Sequence, residues 1–199
     1  LTPAEKLELN SDVEKIYSTS QAFAALKSNG SVVTWGDDGY GGDSTGVNFT
    51  DNTDGVPEEK DKVVKIYSTR AAFAALKNNG EVVTWGHTWY GGDSTDVVSR
   101  LSNHDNDSEH VVKIYSTAFA FAALKKDGKV VVWGNAWWGG SLTALNVDEK
   151  NVLKSGVEKI YSNNKAFAAL KNGKVAVWGD ANRGGSLTPA EKLELNSDV

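Results

Sequence analysis

Lys65–Gly86 reads KIYSTRAAFAALKNNGEVVTWG. Three short runs rich in Val, Ile, Tyr, Phe and Trp are separated by a Ser-Thr step and by Asn79-Gly80. That composition and length favour strand over helix. Asn-Gly tolerates positive φ and is the strongest short-range hairpin signal. The stretch, with Val63-Val64 before it, is therefore expected to form an antiparallel sheet. Its middle run, AFAALK at Ala72–Lys77, is apolar on both faces. A strand of that kind must be covered on both sides, as when sheets stack face to face. The alanines let neighbouring sheets approach closely while Phe73 fills the gap between them.

The same unit recurs along the chain. KIYST stands at Lys15–Thr19, Lys65–Thr69 and Lys113–Thr117, and KIYSN at Lys159–Asn163. AFAALK follows at Ala22–Lys27, Ala120–Lys125 and Ala166–Lys171, and the third run ends on Trp35, Trp85, Trp133 or Trp178. Asn29-Gly30, Asp127-Gly128 and Asn172-Gly173 occupy the hairpin position of Asn79-Gly80. Self-similarity at roughly 40–50 residues marks a propeller, solenoid or array. The expected fold is all-β, with four propeller-type blades at about 13–62, 63–110, 111–156 and 157–199 in one repeat body spanning 1–199. The blades form either an open, stacked array or part of a larger propeller.

The ends of the chain match. Leu1–Val13 and Leu187–Val199 both read LTPAEKLELNSDV. Identical sequence in an equivalent repeat context is expected to play the same part at each end, linking the Gly-Gly turn of one blade to the first strand of the next. Stacked repeats need polar caps, and neither end offers one, so head-to-tail association or covalent continuation is expected. Leu1 cannot start translation, so the chain reads as a processed product or a segment.

Composition narrows the partners. The net charge of −5 opposes a large phosphate-binding surface, so nucleic acid is not expected. No apolar run approaches the ~20 residues needed to span a bilayer, so membrane insertion is not expected either. Cysteine is absent, which removes disulfides and thiol chemistry.

The unit KIYSxxxAFAALKxNGxVVTWGxxxxGG resembles the repeat of the regulator of chromosome condensation family, whose blades carry aLxxdGxVyxWGxnxxGQLG. Ser155–Glu191 carries the resemblance best, and it is most similar to a bacterial β-lactamase-inhibitory branch of that family. The resemblance implies a β-propeller of more blades than this chain supplies, and a protein-binding face lined by turn aromatics. It also favours an extended conformation for Thr188–Glu191, although TPAE equally fits a capping box with Pro at the first helical position. The family's GQLG turn is replaced here by GGDS (Gly41–Ser44, Gly91–Ser94) or GGSL (Gly139–Leu142, Gly184–Leu187). No basic wing supports nucleotide exchange on a small GTPase.

The recurring Trp35, Trp85, Trp133 and Trp178 read as packing elements. The irregular aromatics Tyr40, Trp89, Tyr90, Trp137 and Trp138, in the turns before Gly-Gly, read as a protein-binding surface. Asn52–Gly55 with Thr50 and Asp61 partly matches a calcium loop but lacks the first and last ligands. His104, Asp105, Asp107, Glu109 and His110 have metal-ligand types; both segments read as solvated loops, and no metal or cofactor is expected. His87, His104 and His110 are the only imidazoles, and no nucleophile elbow, phosphate loop or HExxH occurs, so no enzyme activity is expected. The function expected is a structural or assembly repeat, extracellular or at a bacterial cell surface, whose partner is another copy of itself. The alternative is a protein-binding propeller, inhibitor-like or adhesin-like, using the aromatic turns.

Overall fold

A computed structural model of the chain describes residues 9–49, 58–102 and 109–196. The first blade comprises β1 (Val13–Ser18), β2 (Ala22–Lys27) and β3 (Val32–Gly36), and the second β4 (Val63–Ser68), β5 (Ala72–Lys77) and β6 (Val82–Gly86). The third comprises β7 (Val111–Ser116), β8 (Ala120–Lys125) and β9 (Val130–Gly134), and the fourth β10 (Lys159–Ser162), β11 (Ala166–Lys171) and β12 (Lys174–Gly179). Each blade is a three-stranded antiparallel sheet in chain order. The fold is all-β and built of propeller-type blades.

The hairpin glycines explain the register. In the first blade Gly30 (φ 85°) closes a turn in which its N–H donates to Lys27 O and Lys27 N–H donates to Ser31 O. This is a three-residue connection with its last residue in αL. The fourth blade is one residue shorter there. Asn172 (φ 48°) and Gly173 (φ 75°) both take the left-handed region, and Lys171 pairs directly with Lys174. Two successive positive φ values define the tighter type I′ turn, which Asn-Gly adopts at little cost.

Each blade buries itself against the next. One apolar cluster joins Ala22, Ala24 and Leu26 of the first blade to Ile66, Phe73, Ala75 and Trp85 of the second. Another joins Ala72, Ala74 and Leu76 to Ile114, Phe121, Ala123 and Trp133. The last joins Ala120, Ala122 and Leu124 to Ile160, Phe167, Ala169 and Trp178. Alternate residues of one middle strand thus face opposite neighbours, and every residue of β5 and β8 is buried. The recurring Trp is a packing element in these junctions, with Trp85, Trp133 and Trp178 buried.

The extended conformation favoured for Thr188–Glu191 is corrected by a helix at Pro189–Asn196. Thr188 and Glu191 cap reciprocally: Thr188 N–H donates to Glu191 Oε2 at 2.7 Å, and Glu191 N–H to Thr188 Oγ1 at 3.3 Å. Pro189 loses nothing at a position whose N–H would be unpaired anyway, so local capping outweighs the edge-strand alternative. Lys192 Nζ ties the helix back to Glu149 at 2.8 Å. Among the described residues no helix is long and apolar enough to cross a membrane.

Candidate functional site

After each Trp-Gly pair the chain makes a single 3-10 turn: Asp38–Tyr40, Thr88–Tyr90, Ala136–Trp138 and Ala181–Arg183. Three are fixed by the residue before them. His87 Nδ1, Asn135 Oδ1 and Asp180 Oδ1 accept from the N–H two residues on, at 3.2, 3.0 and 2.9 Å. A hydroxyl from the same blade holds the far end, since Thr19, Thr69 and Thr117 Oγ1 donate to the carbonyls of Tyr40, Tyr90 and Trp138. In the fourth blade Asn163 Nδ2 replaces that hydroxyl and donates to Arg183 O at 2.7 Å.

This frame divides the five turn aromatics. The middle position points outward, leaving Trp89 69% and Trp137 82% exposed. The two indoles line one cleft of about 1050 Å³ together with Asp96, Arg100, Lys129 and Lys150. The third position points along the blades. Tyr40 and Tyr90 pack partly against the apolar clusters. Tyr90 stacks on Phe119 at 5.2 Å, Phe119 meets Trp138 at 4.0 Å, and Lys165 Nζ lies 4.8 Å from the centre of a Trp138 ring.

Of the loop residues with metal-ligand types, Thr50, Asn52–Gly55, His104, Asp105 and Asp107 lie outside the described residues. Asp61 is fully buried, its Oδ1 accepting from Asn79 Nδ2 at 3.4 Å. Glu109 forms an ion pair with the buried Lys125 at 3.3 Å. The Gly80 turn packs against His110, so tightly that a Cβ on Gly80 would lie 2.6 Å from His110 Cβ. Among the described residues no three His, Cys, Asp or Glu side chains gather as a metal site.

A second feature was not legible in the sequence, because the residues that form it are identical to core residues. Ile66, Ile114 and Ile160 are 1% exposed, whereas the equivalent Ile16 is 56% exposed. Phe73, Phe121 and Phe167 are at most 1% exposed, whereas Phe23 is 44% exposed. At the other end Tyr161 is 50% exposed, and Ala168 and Leu170 are only partly covered. The first blade thus leaves Ile16 and Phe23 exposed on a face where Ala25 and Val33 are buried, and the fourth blade leaves Tyr161, Ala168 and Leu170 open on the opposite one, where Ala166 and Val177 are buried. Position in the array was the only available signal.

The chain is similar to part of two larger solved structures. A crystal structure of yeast RCC1 (Prp20) bound to Kap60 matches 86% of this chain, with a TM-score of 0.57 and 20% identity. Prp20p from Saccharomyces cerevisiae, crystallised separately, matches the same share with a TM-score of 0.55 and 19% identity.

The four blades have the fold of RCC1 propeller blades.

The chain spans less than half the length of these two propellers, 44% and 45%. No family profile matches the sequence, and no curated protein does. At this identity the likeness extends to the arrangement of blades.

Proposed function

We propose that this chain is a non-enzymatic structural repeat module that assembles through its end blades, as a span of an extended β-repeat body outside the cell or at a bacterial cell surface. The observation that carries the reading is the exposure of Ile16 and Phe23, 56% and 44%, at positions that the other blades bury. Large apolar side chains grouped in the open on one face mark interaction sites. Light scattering across a dilution series tests the proposal. The mass should rise above that of one 21.3 kDa chain as concentration increases, and a particle that keeps the mass of one chain at every concentration would overturn it.

A second reading has its own support. Trp89 and Trp137 flank one cleft with their indoles in solvent, and exposed aromatics at a cleft are typical anchors for a protein partner. On this reading the protein-binding surface extends from the cleft to the neighbouring turn aromatics Tyr40, Tyr90 and Trp138. RCC1 seen bound to Kap60 supports protein partners for blades of this fold. Replacing Trp89 and Trp137 with Ser should then abolish capture of a partner protein while leaving self-association unchanged.

A further inference from the structure

We infer that the fourth blade of one chain receives the first blade of a second copy, in the register that joins successive blades inside the chain. This rests on the assembly reading above and adds its partner and geometry.

Every internal junction repeats the same contacts. The indole N–H of Trp85, Trp133 and Trp178 donates to the carbonyl of Gly41, Gly91 and Gly139 in the preceding blade, at 3.1 Å each time. Those glycines also seat the following blade's Phe. A Cβ on Gly41, Gly91 or Gly139 would lie 2.8, 2.7 or 2.6 Å from a ring carbon of Phe73, Phe121 or Phe167. The hairpin glycines accept from the next first strand, Val63 N–H to Gly30 O, Val111 N–H to Gly80 O and Val157 N–H to Gly128 O, at 3.3, 3.2 and 3.1 Å. A staircase of backbone bonds links the turns before the middle strands: Ser20 N–H to Arg70 O, Arg70 N–H to Ala118 O and Ala118 N–H to Asn164 O.

On the fourth blade the turn glycine and the hairpin glycine, the latter in a connection one residue shorter, both stand open. Gly184 keeps φ 88°, and a Cβ there would meet only Asn163 Nδ2, at 3.9 Å. Gly173 keeps φ 75° and faces no atom within 4 Å. The first blade carries the matching half. Phe23 stacks on Trp35 at 5.3 Å, as Phe73 stacks on Trp85 at 5.1 Å, so the ring is already set in its docking pose. In the repeated register Phe23 enters the Gly184 socket, Trp35 Nε1 donates to Gly184 O, Val13 N–H donates to Gly173 O, and Asn164 N–H donates to Ser20 O. A partner must present a ring, an indole donor and a strand N–H at these spacings, and a second copy does so through its first blade. The contact is heterologous, so it builds a chain or closes a ring according to its rotation.

Because the sequence has no cysteine, engineered thiols give a clean test. Residues joined by one staircase bond lie within reach of a disulfide. The Ser20→Cys/Asn164→Cys variant should form disulfide-linked multimers on mild oxidation, and neither single variant should do so beyond a background dimer. Arg70→Cys/Ala118→Cys, across an internal step, should close within one chain and report that the geometry permits the bond. Adding Phe23→Ser to the first pair should cut the multimer yield about tenfold, the effect of losing ~1.4 kcal/mol of association energy. If the native chain associates by light scattering and the internal pair closes, but the terminal pair forms no multimer, the register is overturned while the assembly reading stands. A native chain that never associates overturns both.

Discussion

Phe121→Ala and Phe23→Ala remove the same ring from equivalent places in β8 and β2, and only the neighbouring blade distinguishes them. Both rings stack on the Trp of their own blade, with centroids 5.2 Å apart for Phe121–Trp133 and 5.3 Å for Phe23–Trp35. The contribution within the blade therefore cancels in the comparison. Phe121 is 0% exposed and closed over by Gly91, whereas Phe23 is 44% exposed. Deleting a fully buried ring costs its transfer energy and leaves a cavity, about 3–5 kcal/mol. Phe23 forgoes roughly half of a 1.5–3 kcal/mol transfer term and opens no enclosed cavity, so its loss costs about 1 kcal/mol. The expected difference is about 2–4 kcal/mol. Urea melts followed by tryptophan fluorescence, at concentrations below association, measure it from midpoints at constant slope. Circular dichroism on the same samples checks that the transition is two-state, because repeat arrays lose stability junction by junction. Costs for the two variants that agree within about 1 kcal/mol would refute the argument that blade-on-blade burial holds this fold together.

The other predictions concern the turns, the tyrosine row and the ends. Thr117 is 4% exposed, and its hydroxyl accepts from Ala120 N–H at 3.0 Å and donates to Trp138 O at 3.2 Å. Thr117→Ala should cost about 1–3 kcal/mol in urea melts, and Thr117→Ser should restore most of it. Burial raises the Tyr67 phenol above its ordinary value of 10.0, against a backbone hydrogen bond at Ile114 and with help from Tyr17 and Tyr115. A raised value in the folded state means that this stabilisation is whole below the ordinary phenol range and is lost as pH rises through the folded value. Melting temperatures of the Tyr67→Phe variant should therefore fall less steeply with alkali than those of the native protein, and parallel curves would remove Tyr67 from the account. Because Leu187–Val199 repeats Leu1–Val13 letter for letter, one copy suffices for a junction between two chains. Deleting residues 1–8 should leave association in light scattering intact, and its loss would show that both copies are needed.

The strands and hairpins were legible because they are decided locally. Asn79-Gly80 permits positive φ whatever surrounds it, and the β-branched and aromatic runs on either side suit a pleated strand. The two-sided apolar pattern of AFAAL even announced that sheets must stack. The turn aromatics were legible as a group but not by direction. Trp89 and Trp137 face solvent while Tyr90 and Trp138 engage Phe119, a division imposed by the 3-10 turn and its threonine anchor. At Thr188–Glu191 the sequence admitted both a capped helix and an extended edge, and the reciprocal bonds of Thr188 and Glu191 chose the helix.

Sequence alone determined that each repeat is a three-stranded antiparallel blade with a Phe and a Trp at fixed register, since backbone propensity and turn chemistry act over a few residues. Tertiary structure decided which of those identical residues form core and which form surface. Phe73 and Phe23 share the same neighbours along the chain, yet one is 0% and the other 44% exposed. Burial is a property of what lies across the gap, and among the described residues the second, third and fourth blades have a preceding blade to cover that face.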